Sequence, residues 1–411
     1  MRSVWLVYAN SLISPKPASA PNDHIAAVIA SFLGWTLDAF DFFLVVFTLT
    51  AIGKEFGRPD KQMALSITLT LAFRPLGAFI FGLIADRYGR RLPLMIDLVF
   101  FSVIEVATGF APNFTAFMIL RALFGIGMGG EWGVGASLAM EKVPPRLRGL
   151  LSGLLQQGYA AGYLLAAVCY FFLFDKVGWR PLFYLGGLPA LLAVFIRMRV
   201  KESAVWERNK SADWSSLGRA IVSHWKLFLY LTALMMMMNF ASHGTQDMYP
   251  TFLERQWHFS PKERALMTAF SMVGALLGGL VMGGLSDRIG RRKAMILSLM
   301  LAVCSIPLWA YSPSVALLAG GAFLMQFFVQ GTWGVIPAHL SELSPKNLRG
   351  FFPGFAYQCG VLLAGSVAYI EAVFAEHMSY SAAMALTAAT VFVLTAVVGG
   401  LGKEKKGEDF G

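Results

Sequence analysis

Residues 239–247 place Asn239, Ser242, His243, Gln246 and Asp247 straight after the apolar run Leu227–Met238. On a helix, positions 239, 243 and 246/247 share a face, because side chains recur every 3.6 residues. A polar stripe at membrane depth faces protein or water, not lipid. It therefore reads as the wall of a path for a polar solute. Asn239, Ser242 and Gln246 supply neutral hydrogen-bonding groups for that solute. Histidine and buried carboxyls are the residue types that exchange protons under ordinary conditions, which makes His243 and Asp247 candidates to carry one.

Arg74 is the candidate for gripping an anion. It precedes Asp86 by twelve residues, which on a helix is roughly 18 Å, near the bilayer centre. An arginine there costs at least ~2.5 kcal/mol on insertion scales. Its planar fork matches a carboxylate with two parallel hydrogen bonds. The alternative is a buried ion pair with an acid in a span. Several such acids exist. Asp38 and Asp41 lie three apart in the first apolar run, and Glu131 lies within the glycine-rich stretch Gly125–Gly135. Glu131 reads either as a proton site or as the counter-charge of Arg74 or Arg121. Asp97 and Glu105 are further acids, Asp97 being expected to pair with Arg90 or Arg91.

The elements that must position these groups follow from composition. The 411-residue chain is 56% hydrophobic and only 14% charged, against about 25% charged in soluble domains. Twelve apolar runs, at 25–51, 63–85, 92–110, 114–139, 148–173, 179–199, 226–253, 264–286, 293–311, 314–340, 349–374 and 379–401, are each long enough for a helix to cross ~30 Å. The expectation is an all-α membrane protein of two six-helix bundles, 25–199 and 226–401. A charged linker, 200–225, joins them, with cytoplasmic tails at 1–24 and 402–411. Basic residues decide the orientation: with both termini cytoplasmic, 24 fall inside and 8 outside, as the positive-inside rule requires. The net charge of +10 is thus spent on topology, and no nucleic-acid partner is expected. Cys169, Cys304 and Cys359 sit in apolar runs without metal-ligand spacing and read as small core residues. Met235–Met238 reads as packing, and His339 carries no metal expectation. No phosphate-binding loop and no hydrolytic triad can be assembled, so neither ATP-driven transport nor an enzyme is expected.

The halves repeat. Gly82-Leu-Ile-Ala-Asp86-Arg-Tyr-Gly-Arg-Arg91 matches Gly283-Gly-Leu-Ser-Asp287-Arg-Ile-Gly-Arg-Arg292 at an offset of 201. The same offset carries Trp132 onto Trp333, Glu141 onto Glu342, Arg148 onto Arg349 and Gln157 onto Gln358. It also pairs Asn239 with Asp38 and Ser242 with Asp41, whereas Arg74 falls opposite Ala275. A constant register over this length is an internal repeat. Parallel six-helix repeats with a site between them are one transporter architecture.

These paired loops resemble the signature of the major facilitator superfamily. Asn239-x-x-Ser242-His243-x-Thr245-Gln246-Asp247-x-x-x-Thr251 is similar to the signature helix of Jen-type monocarboxylate permeases. Gly34-Trp-Thr-Leu-Asp-Ala-Phe-Asp41, Arg74-Pro75-Leu-Gly77 and Gly129-Gly-Glu-Trp-Gly133 resemble the wider sialate:proton symporter family. The resemblance implies a proton-coupled carrier of lactate, pyruvate or a similar acid, in a cell inner membrane, working by alternating access as a monomer. It needs no cofactor beyond the coupling proton. Arg121 resembles an arginine linked in the family to proton coupling. Asp86, Arg87, Arg90 and Arg91, with Asp287, Arg288, Arg291 and Arg292, resemble its gate latch. Another organic anion, a sialate or an aromatic acid, is the alternative. A non-transporting sensor is disfavoured because the tails leave no room for a signalling domain.

Overall fold

A computed structural model of the chain describes residues 23–211 and 213–410. Residues 1–22 of the expected tail lie outside the described residues. The described chain is all helix and loop. In the first half these are α1 (Asp23–Phe56), α2 (Asp60–Tyr88), α3 (Arg91–Gly109), α4 (Phe114–Lys142), α5 (Arg148–Gln156), α6 (Gly158–Val177), α7 (Trp179–Tyr184) and α8 (Leu188–Arg199). The connecting segment folds into two short helices, α9 (Ala204–Asn209) and α10 (Trp214–Ser223). The second half holds α11 (Trp225–Gln246), α12 (Tyr249–Arg255), α13 (Pro261–Ile289), α14 (Arg291–Ala310), α15 (Val315–Leu343), α16 (Phe352–Ala364), α17 (Val367–Ala375) and α18 (Tyr380–Leu401).

Among the described residues, eleven segments are long and apolar enough to cross a membrane. The apolar run at 349–374 differs from the sequence reading. It breaks at Gly365-Ser366 into α16 and α17, of 13 and 9 residues. The seventh run also breaks, between Gln246 and Tyr249. Pro250, in the first turn of α12, has no N–H to continue the ladder from α11.

Local chemistry sets the helix starts. The Asn113 side chain accepts from Ala116 N at 2.9 Å to open α4. Ser260 and Glu263 form a reciprocal capping box ahead of α13, with Pro261 at its first position. The paired loops end α2 and α13 through Gly89 and Gly290, at φ 107° and 104°, a region that side chains with a Cβ rarely adopt. Glutamates at the ends of the two bundles cap the helices that follow. Glu202 accepts from the N–H groups of Arg90 and Arg91, both at 3.0 Å. Glu404 does the same for Arg291 and Arg292, at 3.2 and 2.9 Å.

Small residues set the helix spacing. Gly77 of α2 lies against the Ile126 backbone of α4, and Gly278 of α13 against the Phe327 backbone of α15. These two contacts are 201 residues apart, so the repeat seen in sequence is a repeat of close helix approach.

On the side carrying the paired loops, hereafter the motif side, the two bundles touch. Asp86 accepts from Gly350 N and Phe351 N, at 2.8 and 3.0 Å, at the start of α16. Asp287 accepts from Gly149 N and Leu150 N, at 2.8 and 3.0 Å, at the start of α5. Each motif acid thus sits on the positive end of a helix in the other half. Arg148 pairs with Glu342 across the interface at 3.1 Å. Gly133 of α4 faces Gly354 of α16 so closely that a Cβ on Gly133 would stand 2.5 Å from the Gly354 Cα.

Candidate functional site

Away from the motif side, the halves part around a cavity of about 320 Å³. α11 and its break supply His243, Thr245, Gln246 and Asp247; α15 supplies Gln326 and Gln330. From the first half come Phe42, Phe43, Gln156, Gln157, Tyr159 and Tyr163. The polar lining is dominated by amides, and the described lining contains no arginine or lysine.

The amides are tied into one network. Gln246 donates to Ser242 Oγ at 3.1 Å and to Gln326 Oε1 at 3.0 Å. Gln326 donates to Thr245 Oγ1 at 3.3 Å, and Gln330 to Ser242 Oγ at 3.2 Å. His243 Nδ1 lies 3.2 Å from Asp247 Oδ1, both side chains partly open to the cavity. Such pre-connected amides can re-aim donors and acceptors at a polar solute without leaving buried groups unpaired.

The stripe is therefore divided. His243, Gln246 and Asp247 reach the cavity, and Ser242 supports it from behind. Asn239 does not line it. Its amide donates to Met235 O of its own helix at 2.7 Å.

Arg74 also differs from the sequence picture of a cation facing the stripe across open space. It is only 4% exposed and does not line the cavity. Its Cζ lies 5.8 Å from the centroid of the Tyr357 ring. Tyr357 in turn meets Trp132 at 4.6 Å, Trp333 at 5.6 Å and Trp35 at 6.5 Å, and Trp35 stacks on Tyr159 at 5.6 Å. Tyr159 is part of the cavity floor. An aromatic layer of Tyr357, Trp35 and Tyr159 thus runs from Arg74 to the cavity wall. No acid pairs with Arg74 among the described residues, and its Nε and Nη2 have no hydrogen-bond partner. Those two N–H groups form the side edge of the guanidinium that a carboxylate engages.

The acids of the first half away from its motif side and its helix ends fall into two groups. Glu105 holds Arg121 at 2.5 Å, and Thr108 Oγ1 accepts from the same guanidinium nitrogen at 2.6 Å. Asp41 lies beside Glu105 at Gly186. The second group is Asp38, Glu131 and Asp97, all fully buried, with no carboxylate oxygen hydrogen-bonded among the described residues. Two of the expected alternatives are not made. Glu131 balances neither Arg74 nor Arg121; it packs on Gly34 and Gly135. Asp97 is not the partner of Arg90, because Asp86 and Glu141 already hold that arginine, at 2.5 and 2.9 Å.

On the motif side, Arg291 pairs with Asp287 at 2.8 Å and Glu342 at 2.9 Å, repeating the Arg90 arrangement. Arg87 donates to Ser211 O at 3.5 Å, and Arg292 to Gly399 O at 3.2 Å and to Gly400 O. Lys406 donates to the backbone carbonyl of Arg288. Asp38, Asp41, Arg121 and Glu131 therefore lie inside the first half, and the eight motif residues at the sealed surface, both away from the cavity lining.

Sequence reasoning did not single out Gln156, Gln326, Gln330, Tyr159 or Tyr357. Polar amides in apolar runs were the available signal. It also passed over Glu371 of α17. This carboxyl is buried against Gly244 of α11 and has no hydrogen-bond partner among the described residues.

Comparison with known proteins agrees with this architecture. The sequence profile of the Major Facilitator Superfamily matches residues 30–254, and that of "Sugar (and other) transporter" matches residues 219–401. A carboxylic acid transporter protein homolog of Saccharomyces cerevisiae is 28% identical over 91% of this chain and 67% of its own length. A probable 4-methylmuconolactone transporter of Cupriavidus pinatubonensis is 33% identical over 86% of this chain and 85% of its own. The solved structure of the proton:xylose symporter XylE superimposes with a TM-score of 0.78, at 17% identity, over 94% of this chain and 97% of that one.

Proposed function

The chain belongs to the major facilitator superfamily, and from that premise we propose that it carries a short monocarboxylate of the lactate or pyruvate type together with a proton. The observation that carries this reading is Arg74. A buried guanidinium with its Nε–Nη2 edge unpaired leaves two donors unsatisfied at about 1–3 kcal/mol each. A carboxylate of matching geometry relieves that cost. The name of the yeast relative, a carboxylic acid transporter homolog, points to the same class.

In the proposed cycle the chain lies in a cell inner membrane with both termini cytoplasmic, so the motif side is cytoplasmic and the cavity opens outward. The anion enters among the amides of Gln157, Gln246, Gln326 and Gln330. The Tyr159–Tyr357 layer yields, and the carboxylate reaches Arg74. His243 with Asp247, or an acid among Asp38, Asp41 and Glu131, takes the proton, with Arg121 holding the local charge balance through Glu105. The Asp86 and Asp287 contacts then break and the halves rock about the site.

An anion moving with one proton carries no net charge. In proteoliposomes, an outside-acidic gradient is expected to drive lactate accumulation of about tenfold per pH unit at equilibrium. An imposed membrane potential is expected to have no effect. His243→Ala and Asp247→Asn test which group couples: the coupling residue's variant exchanges lactate but loses accumulation. Uptake that ignores the gradient in the unmodified protein would overturn proton coupling.

One observation favours a second substrate reading. Phe42, Phe43, Tyr159, Tyr163, Tyr249 and Trp309 line the cavity, and its volume exceeds what a three-carbon acid fills. A ring-bearing organic acid suits such walls. Competition of labelled lactate uptake by pyruvate, acetate, sialate and benzoate separates the two. Benzoate competing at concentrations far below pyruvate would select the ring acid.

A further inference from the structure

The segment after α18 does not hang free. It crosses the sealed motif side and inserts Phe410, 2% exposed, between the two halves. One ring meets two guanidiniums: Arg148 at 3.8 Å, on the first turn of α5, and Arg349 at 3.7 Å, just before α16. These arginines are 201 residues apart and are the same position of the two repeats. Backbone groups fix the segment around them. Arg148 Nη1 donates to Glu408 O at 3.0 Å, and Gly407 N donates to Glu342 at 3.3 Å. Asn209 of α9 donates to Phe410 O at 3.4 Å.

The two halves are not symmetric around this ring. Arg148 reaches across to Glu342 at 3.1 Å. The equivalent reach, Arg349 to Glu141, is not made. Arg349 instead donates to Ser341 O at 3.3 Å. Its Nη1 and the Oε2 of Glu141 have no hydrogen-bond partner among the described residues. Where the fold offers two equivalent cross-interface bridges, one forms, while both arginines rest on the ring of Phe410.

We infer that the C-terminal segment 407–410 is a clasp on the transport cycle: Phe410 holds Arg148 and Arg349 together and must leave before the motif side opens. Opening that side separates α5 from α16, and one ring cannot keep contact with both arginines. The clasp therefore stabilises the state sealed on the motif side and slows its opening. This rests on alternating access and not on the identity of the substrate or on the proton.

The test is conformational. Full-length protein is reconstituted with Cys169, Cys304 and Cys359 replaced by alanine, and spin labels are placed at Arg146→Cys and Lys346→Cys on opposite halves of the motif side. The distance distribution is read by pulsed electron resonance without substrate. Phe410→Ala is expected to raise the ratio of long to short distances about tenfold, the scale of two guanidinium–ring contacts. Phe410→Trp, which keeps a ring for both arginines, is expected to stay near the unmodified distribution. Truncation after Lys406 leaves Glu404 in place and is expected to match Phe410→Ala. An unchanged distribution in Phe410→Ala and in the truncation overturns the clasp. So does an equal shift in Phe410→Trp. Loss of folded protein in both Phe410→Ala and the truncation also overturns it, since a segment that leaves in every cycle cannot be required for folding. A failure of lactate transport leaves all of these outcomes readable.

Discussion

Arg74→Ala is expected to lower initial organic-anion uptake by at least about thirtyfold while the protein keeps or gains thermal stability. Removing one partner of a buried, charge-assisted pair costs about 2–5 kcal/mol, and about 1.4 kcal/mol is a factor of ten. Stability should move the other way from transport. In the empty carrier the guanidinium is buried with Nε and Nη2 unpaired, so its removal relieves a desolvation cost. A group kept at such a cost is expected where function demands it. Arg74→Lys should also fail, because an ammonium is a point charge and cannot replace a planar fork. Uptake in proteoliposomes and thermal unfolding in detergent measure the two effects. Arg74→Ala that transports at more than a tenth of the unmodified rate would remove the carboxylate grip from the mechanism. Transport and stability falling together would make Arg74 a structural residue.

Gly133→Leu is expected to prevent the motif side from closing. The Cβ position stands 2.5 Å from a backbone atom of Gly354, so no rotamer change can relieve the clash. Inside a rigid core such overpacking costs about 1–3 kcal/mol or more. Here a cheaper escape exists, since the two glycines lie on different halves and the halves can separate. The cost then appears as a population shift, of about tenfold for each ~1.4 kcal/mol. The distance distribution between positions 146 and 346 should move to its long form, and net uptake should fall at least about tenfold. Gly320→Ala is the control, because nothing lies within 4 Å of its Cβ position and alanine suits a helix better than glycine. Normal uptake in Gly133→Leu with an unshifted distribution would show that this contact does not limit closure.

The stripe at 239–247 shows how far a one-dimensional pattern reaches. Helical period puts Asn239, His243, Gln246 and Asp247 on one side, and three of the four do line the cavity. Asn239 does not, because one helix face several turns long meets different neighbours along its length. At Asn239 that neighbour is protein, and the amide turns to its own backbone. Asp97 shows a second limit. Nearness in sequence suggested Arg90 or Arg91, but Asp86 and, from another helix, Glu141 hold Arg90. Glu371 was missed because the run 349–374 reads as one continuous span. The break at Gly365-Ser366 is what sets the short α17 apart.

By itself the sequence determined the membrane class, the division into two repeats at an offset of 201, and the paired Asp-Arg-x-Gly-Arg-Arg loops. Each of these is written in local period, composition or register, and a helix in lipid satisfies its backbone within its own span. The tertiary structure decided what lies between the halves. It sets Arg74 against Tyr357, gathers the glutamines of α5, α11 and α15 into one lining, and seats Phe410 between Arg148 and Arg349. None of these partners is close in sequence. Their contact depends on how two rigid bundles meet, and no period along a single helix encodes that distance.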